Sequence, residues 1–378
     1  MEAPAPPHGH RIASLDGLRT VAILAIVAFH YCYRWAPPLS SATLYPYGRA
    51  LAGLPGVRFG AFGVQLFFII SGFVIAMTLE RCRTPLEFAV RRYARLGPAM
   101  LIFSLLTFAA MQLIPGAPFP EHVSWFASSL TFIDPVLLNR LIPGGAFQSI
   151  AGAYWSLYVE VQFYVLACLL YFTAGRWFRA AMGAVSAVAA ALLIVRLPLA
   201  SPVSNNLLIP RFLPWFILGI GFHALALGQQ RLTGAALLGL GVLELLVQHA
   251  AGVRAAAPPG IVLLWAALFA AALWLRPLAA CLACKPLVEI GAASYGLYLI
   301  HENVGVAVLH ALPPMGAAAG ICAAAAVAAG CIALALVSFR WIERPLSRLI
   351  RAWLLAPRSR AAAGAPDRPQ RPPGYAAD

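Results

Sequence analysis

Residues 15–31 read LDGLRTVAILAIVAFHY, an apolar run long enough to enter a lipid bilayer that nevertheless carries an arginine near its start and a histidine near its end. Arg19 and His30 are eleven residues apart. At about 100° per residue they project from nearly the same face of one helix, roughly 16 Å apart along its axis. An ionisable group inside a membrane costs on the order of 2.5 to 3.5 kcal/mol on insertion scales. Two on one stripe therefore require a reason in the rest of the chain.

That run is one of about ten. With 378 residues, 61% of them apolar and 11% charged, and a mean hydropathy of +0.81, the chain is too oily and too sparsely charged for a soluble globular protein. Apolar stretches bounded by Pro, Gly or charge lie near 15–34, 58–79, 97–114, 152–174, 178–196, 208–228, 232–250, 258–275, 287–311 and 316–341. The expectation is an all-α polytopic membrane bundle of about ten transmembrane helices. An N-terminal arm over 1–14 precedes a transmembrane domain over 15–350, and a disordered tail over 351–378 follows it. The first run lacks a small-residue cleavage site, so the first helix is expected to stay as an uncleaved anchor.

The formal charge of +14 comes almost wholly from arginine, and its placement is informative. With the N-terminus inside, nineteen basic residues fall in inside segments and seven in outside loops, which predicts both termini on the cytoplasmic side. A nucleic-acid partner is not needed to explain the basic balance. Cys281 and Cys284 form a Cys-x-x-Cys pair with no second pair and no nearby histidine, so no metal site is expected.

In TPLEFAVRRYARLGP, Thr84 is placed to cap a helix, with Pro85 at its first position and Glu87 two residues on, a capping box. The spacing predicts a short amphipathic helix on the cytoplasmic surface that Pro98 ends. Arg91, Arg92 and Arg95 cluster on one side, with Leu86, Val90, Tyr93 and Leu96 on the other. Such a cluster either anchors on anionic lipid headgroups or clamps the phosphates of a nucleotide-like ligand.

Two later runs carry polar stripes. In GAYWSLYVEVQFYVL, Ser156, Glu160 and Tyr164 recur every four residues and share a face, which makes Glu160 a carboxylate within the bilayer. Trp155 and Ser156 stand at the mouth of that helix and are placed to cap a cavity. In EIGAASYGLYLIHENVGVAVLH, residues Ser294, Tyr298, His301 and Glu302 form a second stripe. Counting from the helix ends places His30, Glu160 and His301 at similar depth, as a general base and its orienting partner would be. The alternative is packing: a satisfied histidine at 301, and Glu160 paired with Arg19 or Arg211. In FFIISGFVI, Ser71 and Gly72 make a thin spot that suits close helix approach or a slender ligand.

These stretches together resemble acyltransferase family 3, integral membrane enzymes that O-acylate extracytoplasmic carbohydrates. LDGLRTVAILAIVAFH matches its Arg-x10-His signature at Arg19 and His30. FFIISGFVI matches its second-helix motif, RRYAR its Arg-x-x-Arg at Arg92 and Arg95, WSLYVEVQFY its fourth-helix motif around Glu160, and SYGLYLIH its ninth-helix signature. Departures are Val161, where a second acid is common, and Asn303, where proline is common. Many relatives carry a soluble esterase-like domain, and none is read in these residues, so transfer is expected to be completed by the membrane domain or by a separate extracytoplasmic partner.

The resemblance implies transfer of an acyl group, most simply acetyl, from cytoplasmic acyl-CoA to a hydroxyl of a carbohydrate or lipid-linked glycan, in a bacterial cytoplasmic membrane. On that reading Arg92, Arg95 and Arg91 hold the CoA phosphates and the pantetheine arm rises past Ser71 and Gly72. His30 then acts as base with Glu160 orienting its ring, or carries the acyl group covalently, while Arg19 lines the donor path or pairs with Asp16. Trp155, Ser156, Tyr164, Tyr298 and His301 line the substrate cavity. The competing class is a proton-coupled transporter, whose relay also uses buried His, Glu and Arg.

Overall fold

The computed structural model describes residues 12–35, 45–54, 56–119, 122–195, 208–226, 228 and 230–355. Most of the expected N-terminal arm and nearly all of the expected tail lie outside the described residues. Those described form fifteen α-helices and no strand. They are α1 (Ala13–Phe29), α2 (Gly63–Leu79), α3 (Pro85–Leu113), α4 (Phe126–Thr131), α5 (Pro135–Leu141), α6 (Trp155–Ala174), α7 (Phe178–Val195) and α8 (Leu213–Ala226). There follow α9 (Arg231–Ala250), α10 (Pro259–Trp274), α11 (Arg276–Leu282), α12 (Lys285–Ile300), α13 (Asn303–His310), α14 (Ala317–Ser338) and α15 (Arg344–Leu354).

All ten apolar runs coincide with helix, but fewer are continuous spans. Six stretches are long and apolar enough to cross a membrane, or seven if α10 and α11, bent by 94°, form one. Two physical reasons separate six or seven from ten. Helix α8 has 14 residues and α12 has 16, both short of a full crossing. Residues Gly152–Val195 count as one stretch of 44 residues, which as a single helix would reach about 66 Å, twice a bilayer core. The chain reverses there instead, at Gly175, whose φ of 53° ends α6.

Helix α1 packs against α12 and α2, α2 against α8, and α8 against α9, while α3 lies along α12 and α15. Two of these contacts are backbone to backbone. A Cβ on Gly72 would collide with the Phe216 carbonyl, and one on Gly219 with the Ile69 carbonyl, so α2 and α8 touch through their main chains. Gly291 makes the same kind of contact with the Asp16 carbonyl where α12 crosses α1.

The capping box is present: Thr84 Oγ1 accepts from the Glu87 amide at 3.1 Å, and Glu87 reaches back to the Arg83 amide at 2.9 Å. The expected stop at Pro98 is not. Helix α3 runs through it for 29 residues. One missing N–H costs a single ladder bond, and the helices packed on either side hold the rest. At about 1.5 Å per residue the helix exceeds the bilayer core by two to three turns, which lets its arginine-bearing start project beyond the lipid.

Candidate active site

A passage enters the bundle at its basic end. A vestibule of about 570 Å³ lies between α1, α2, α3, α12 and α15, and beyond it a slot of about 60 Å³ continues inward between α2, α3, α6 and α12. Arg19, Arg92, Arg95, Val74 and Tyr295 line both compartments, so the two adjoin at these side chains. The slot has room for an extended chain but not for a folded nucleotide.

Most of the expected site residues line the slot: Arg19, Ser71, Arg92, Arg95, Ser156, Glu160, Tyr164 and Tyr298. Glu160 accepts from Ser71 Oγ at 2.7 Å and from the Tyr164 hydroxyl at 2.6 Å. The Arg92 guanidinium lies 5.9 Å from the centroids of both Phe88 and Tyr164 and donates to Thr78 Oγ1 at 3.3 Å. Its buried Nε has no hydrogen-bond partner among the described residues, and neither has the buried hydroxyl of Tyr295. Arg19 pairs with Asp16 at 2.6 Å and also lines both compartments. At the deep end, Ser156 Oγ and the Tyr298 hydroxyl lie 2.7 Å apart, and Tyr298 also donates to the Ala153 carbonyl at 2.7 Å.

His30 and His301 stand next to this end and not in the slot. His301 Nε2 is 3.1 Å from His30 Nδ1, and the His301 ring centroid is 5.5 Å from that of Tyr298. Backbone carbonyls can only accept, so they fix both tautomers. Ile26 O at 3.0 Å places the hydrogen of His30 on Nδ1, and Tyr298 O at 2.8 Å does the same for His301. His301 Nε2 shares that one N–H of His30 with the Ile26 carbonyl, which leaves His30 Nε2 turned to another neighbour. It faces Oε1 of Glu302 at 3.3 Å.

The expected pairing of Glu160 with His30 is therefore corrected. The carboxylate at His30 is Glu302, and Glu160 belongs to the slot with Ser71, Tyr164 and Arg92. Three other expectations also change. Gly72 does not line the passage, because its missing Cβ is what lets α8 approach. Trp155 lies outside the slot, 40% exposed and packed on Phe68 and Phe212. Arg91 reaches the vestibule, but its guanidinium is bound to Glu87 at 2.7 and 3.1 Å.

Local backbone irregularity positions the imidazoles. Helix α1 passes into a π-helical turn at His30–Arg34, a form found often at functional sites because it frees carbonyls and re-aims side chains. Tyr45 donates to the His30 carbonyl at 2.6 Å and Tyr47 to the Tyr31 carbonyl at 2.7 Å. The expected ninth helix is broken between α12 and α13 at His301 and Glu302. His301 Nδ1 takes the carbonyl of Tyr298, which the Glu302 amide would otherwise use, so the side chain replaces the helical bond. Tyr31 ties the break to α1 by donating to the His301 carbonyl at 2.8 Å, and Asn303 donates to the Ile150 carbonyl at 2.8 Å. Glu302 was visible on the polar stripe, but nothing in its spacing showed that it would meet His30.

The described residues thus form an apolar bundle with a basic entrance, a polar slot and a buried imidazole–carboxylate cluster beside its end. The chain matches the family model described as "Acyltransferase domain" over residues 12–340 and belongs to that family. It is similar to Acyltransferase MdmB of Streptomyces mycarofaciens, 27% identical over 96% of this chain and 97% of the relative. It is also similar to Peptidoglycan O-acetyltransferase OatA of Listeria monocytogenes, 25% identical over 41% of this chain and 23% of that protein. O-acetyltransferase OatA of Staphylococcus aureus is 30% identical over 41% of this chain and 24% of its own length. The match thus spans nearly all of the first relative and about a quarter of the other two. No solved structure matches the chain.

Proposed function

We propose that the protein, in a bacterial cytoplasmic membrane, transfers an acyl group, most simply acetyl, from a cytoplasmic acyl-CoA to a hydroxyl of a carbohydrate or lipid-linked glycan on the other side. The observation that carries the donor side is that the vestibule and the slot adjoin. Arg19, Arg92 and Arg95 face both the vestibule and the slot, so anionic phosphates held at the entrance leave a slender thioester arm free to reach Ser156 and Tyr298, beside the histidines. The names of the OatA relatives favour a carbohydrate acceptor.

His30 is the reacting base. As the acceptor oxygen bonds to the thioester carbonyl carbon, its proton passes to the His30–Glu302 pair, the C–S bond breaks, and the departing thiolate takes a proton back from the pair. Glu302 holds the imidazole in orientation and offsets its charge. In a two-step variant Nε2 itself forms a C–N bond to the acyl carbon with loss of the thiolate, and the acceptor oxygen later displaces the imidazole. Glu160 shapes the slot with Ser71 and Tyr164 and stands within reach of the electrostatic influence of Arg92.

The test is incubation of purified protein in lipid nanodiscs with acetyl-labelled acetyl-CoA and envelope glycan fragments. Label on the glycan with stoichiometric release of CoA supports the reading. Movement of a sugar down a proton gradient with intact acetyl-CoA would replace it with a transporter. Mass spectrometry of His30 peptides from reactions without acceptor separates the one-step from the two-step route.

A further inference from the structure

The vestibule carries far more positive charge than the slot needs. Eight arginines line it against two acids, and both acids are engaged: Asp16 with Arg19 at 2.6 Å, and Glu343 with Ser338 Oγ at 2.9 Å. Like charges gathered around one cavity repel unless an anion joins them. The unpartnered, buried Nε of Arg92 is a donor awaiting such a group.

Part of this charge comes from α15, an element the acyl-transfer reading leaves unused. Arg344, Arg348 and Arg351 fall at i, i+4 and i+7, on one face, and all three line the vestibule. Leu349 and Trp353, 64% and 82% exposed, occupy the opposite face, which therefore meets lipid. The arginines point away from that face and towards the cavity, across from the stripe on α3, against which α15 packs.

We infer that α15 forms the outer half of the donor-phosphate site, with Arg344, Arg348 and Arg351 holding the ribose 3′-phosphate of coenzyme A while Arg92 and Arg95 hold its pyrophosphate; this rests on acyl-CoA being the donor. The order follows from covalent connectivity. The pantetheine arm leaves from the pyrophosphate, so the pyrophosphate lies where the vestibule meets the slot, at Arg92 and Arg95. The 3′-phosphate is on the far side of the ribose, where only vestibule residues can reach it. Guanidinium forks suit such a phosphate monoester. The donor is then a free CoA thioester and not an acyl carrier protein, whose phosphopantetheine has no 3′-phosphate.

The test measures binding of CoA and 3′-dephospho-CoA to protein in nanodiscs of phosphatidylcholine, with and without phosphatidylglycerol. Wild type is expected to bind CoA at least about tenfold more tightly than 3′-dephospho-CoA, as loss of a charge-assisted contact predicts. The double variant Arg348→Gln/Arg351→Gln, which leaves Arg344 alone on that phosphate, should lose most of this ratio, with its affinity for 3′-dephospho-CoA unchanged, which also shows that it is folded. Arg92→Gln should weaken both and preserve the ratio. Equal binding of the two by wild type, or a ratio that survives in the double variant, overturns the inference alone. A ratio that disappears on adding phosphatidylglycerol assigns the stripe to lipid headgroups and overturns it as well. Wild type that binds neither nucleotide defeats the acyl-CoA reading itself.

Discussion

Nε2 of His30 faces Oε1 of Glu302 at 3.3 Å, across the break between α12 and α13. If this carboxylate supports the reacting imidazole, Glu302→Gln keeps the shape and removes the charge. Turnover of acetyl-CoA, followed as thiol release, should fall about a hundredfold or more with little change in donor KM. Glu160→Gln should act the other way, raising donor KM more than it lowers kcat, because Glu160 shapes the slot. Equal kcat losses with unchanged KM in both variants would contradict this division.

Tyr164 serves two neighbours in separable ways. Its hydroxyl donates to Glu160 at 2.6 Å, and its ring lies under Arg92. Tyr164→Phe removes only the first, so the protein should lose about 0.5–1.5 kcal/mol of stability, the range for an intramolecular hydrogen bond. Thermal melting in detergent checks the loss, and donor affinity measured alongside should stay within about threefold of wild type, as the stacking is intact.

The main-chain contact of α2 with α8 tolerates no added atom. Gly72→Ala would drive a methyl into the Phe216 carbonyl, with no flexible side chain to yield. Size-exclusion chromatography should show little monodisperse protein for this variant. Gly330→Ala adds its methyl to open space and should elute as wild type does, with equal or higher melting temperature.

The Thr84 cap secures the start of α3, the helix that carries Arg91, Arg92 and Arg95 of the vestibule. Thr84→Ala should cost about 1 kcal/mol, with most of it recovered by Thr84→Ser. Melting temperatures of the three proteins decide this, and a serine variant as unstable as the alanine variant would contradict it.

Much of this was legible in the sequence, for reasons that also mark where reading stops. Apolar runs, the Thr84–Glu87 box and the stripe of Ser156, Glu160 and Tyr164 are properties of one helix at a time, and period and propensity suffice for them. The partner of His30 is not such a property. Counting residues set an expected depth for Glu160 but not the azimuth of α6 about α1, and its carboxylate meets Ser71 and Tyr164 instead. The break at His301 was hidden because a side chain competing for the Tyr298 carbonyl leaves no Pro or Gly behind. Gly72 reads equally as a thin wall for a ligand or for a helix, and only its neighbour Phe216 distinguishes them. The α15 stripe was masked by the same arginine excess from which the orientation is expected.

One comparison bears on His30 more directly than any other: His30→Ala against wild type in nanodiscs, with acetyl-CoA binding and thioester turnover measured on the same samples. The variant should bind acetyl-CoA as wild type does, since the vestibule arginines are untouched, and should release no CoA above the uncatalysed background. Turnover by His30→Ala at a rate close to wild type would show that the chemistry lies elsewhere.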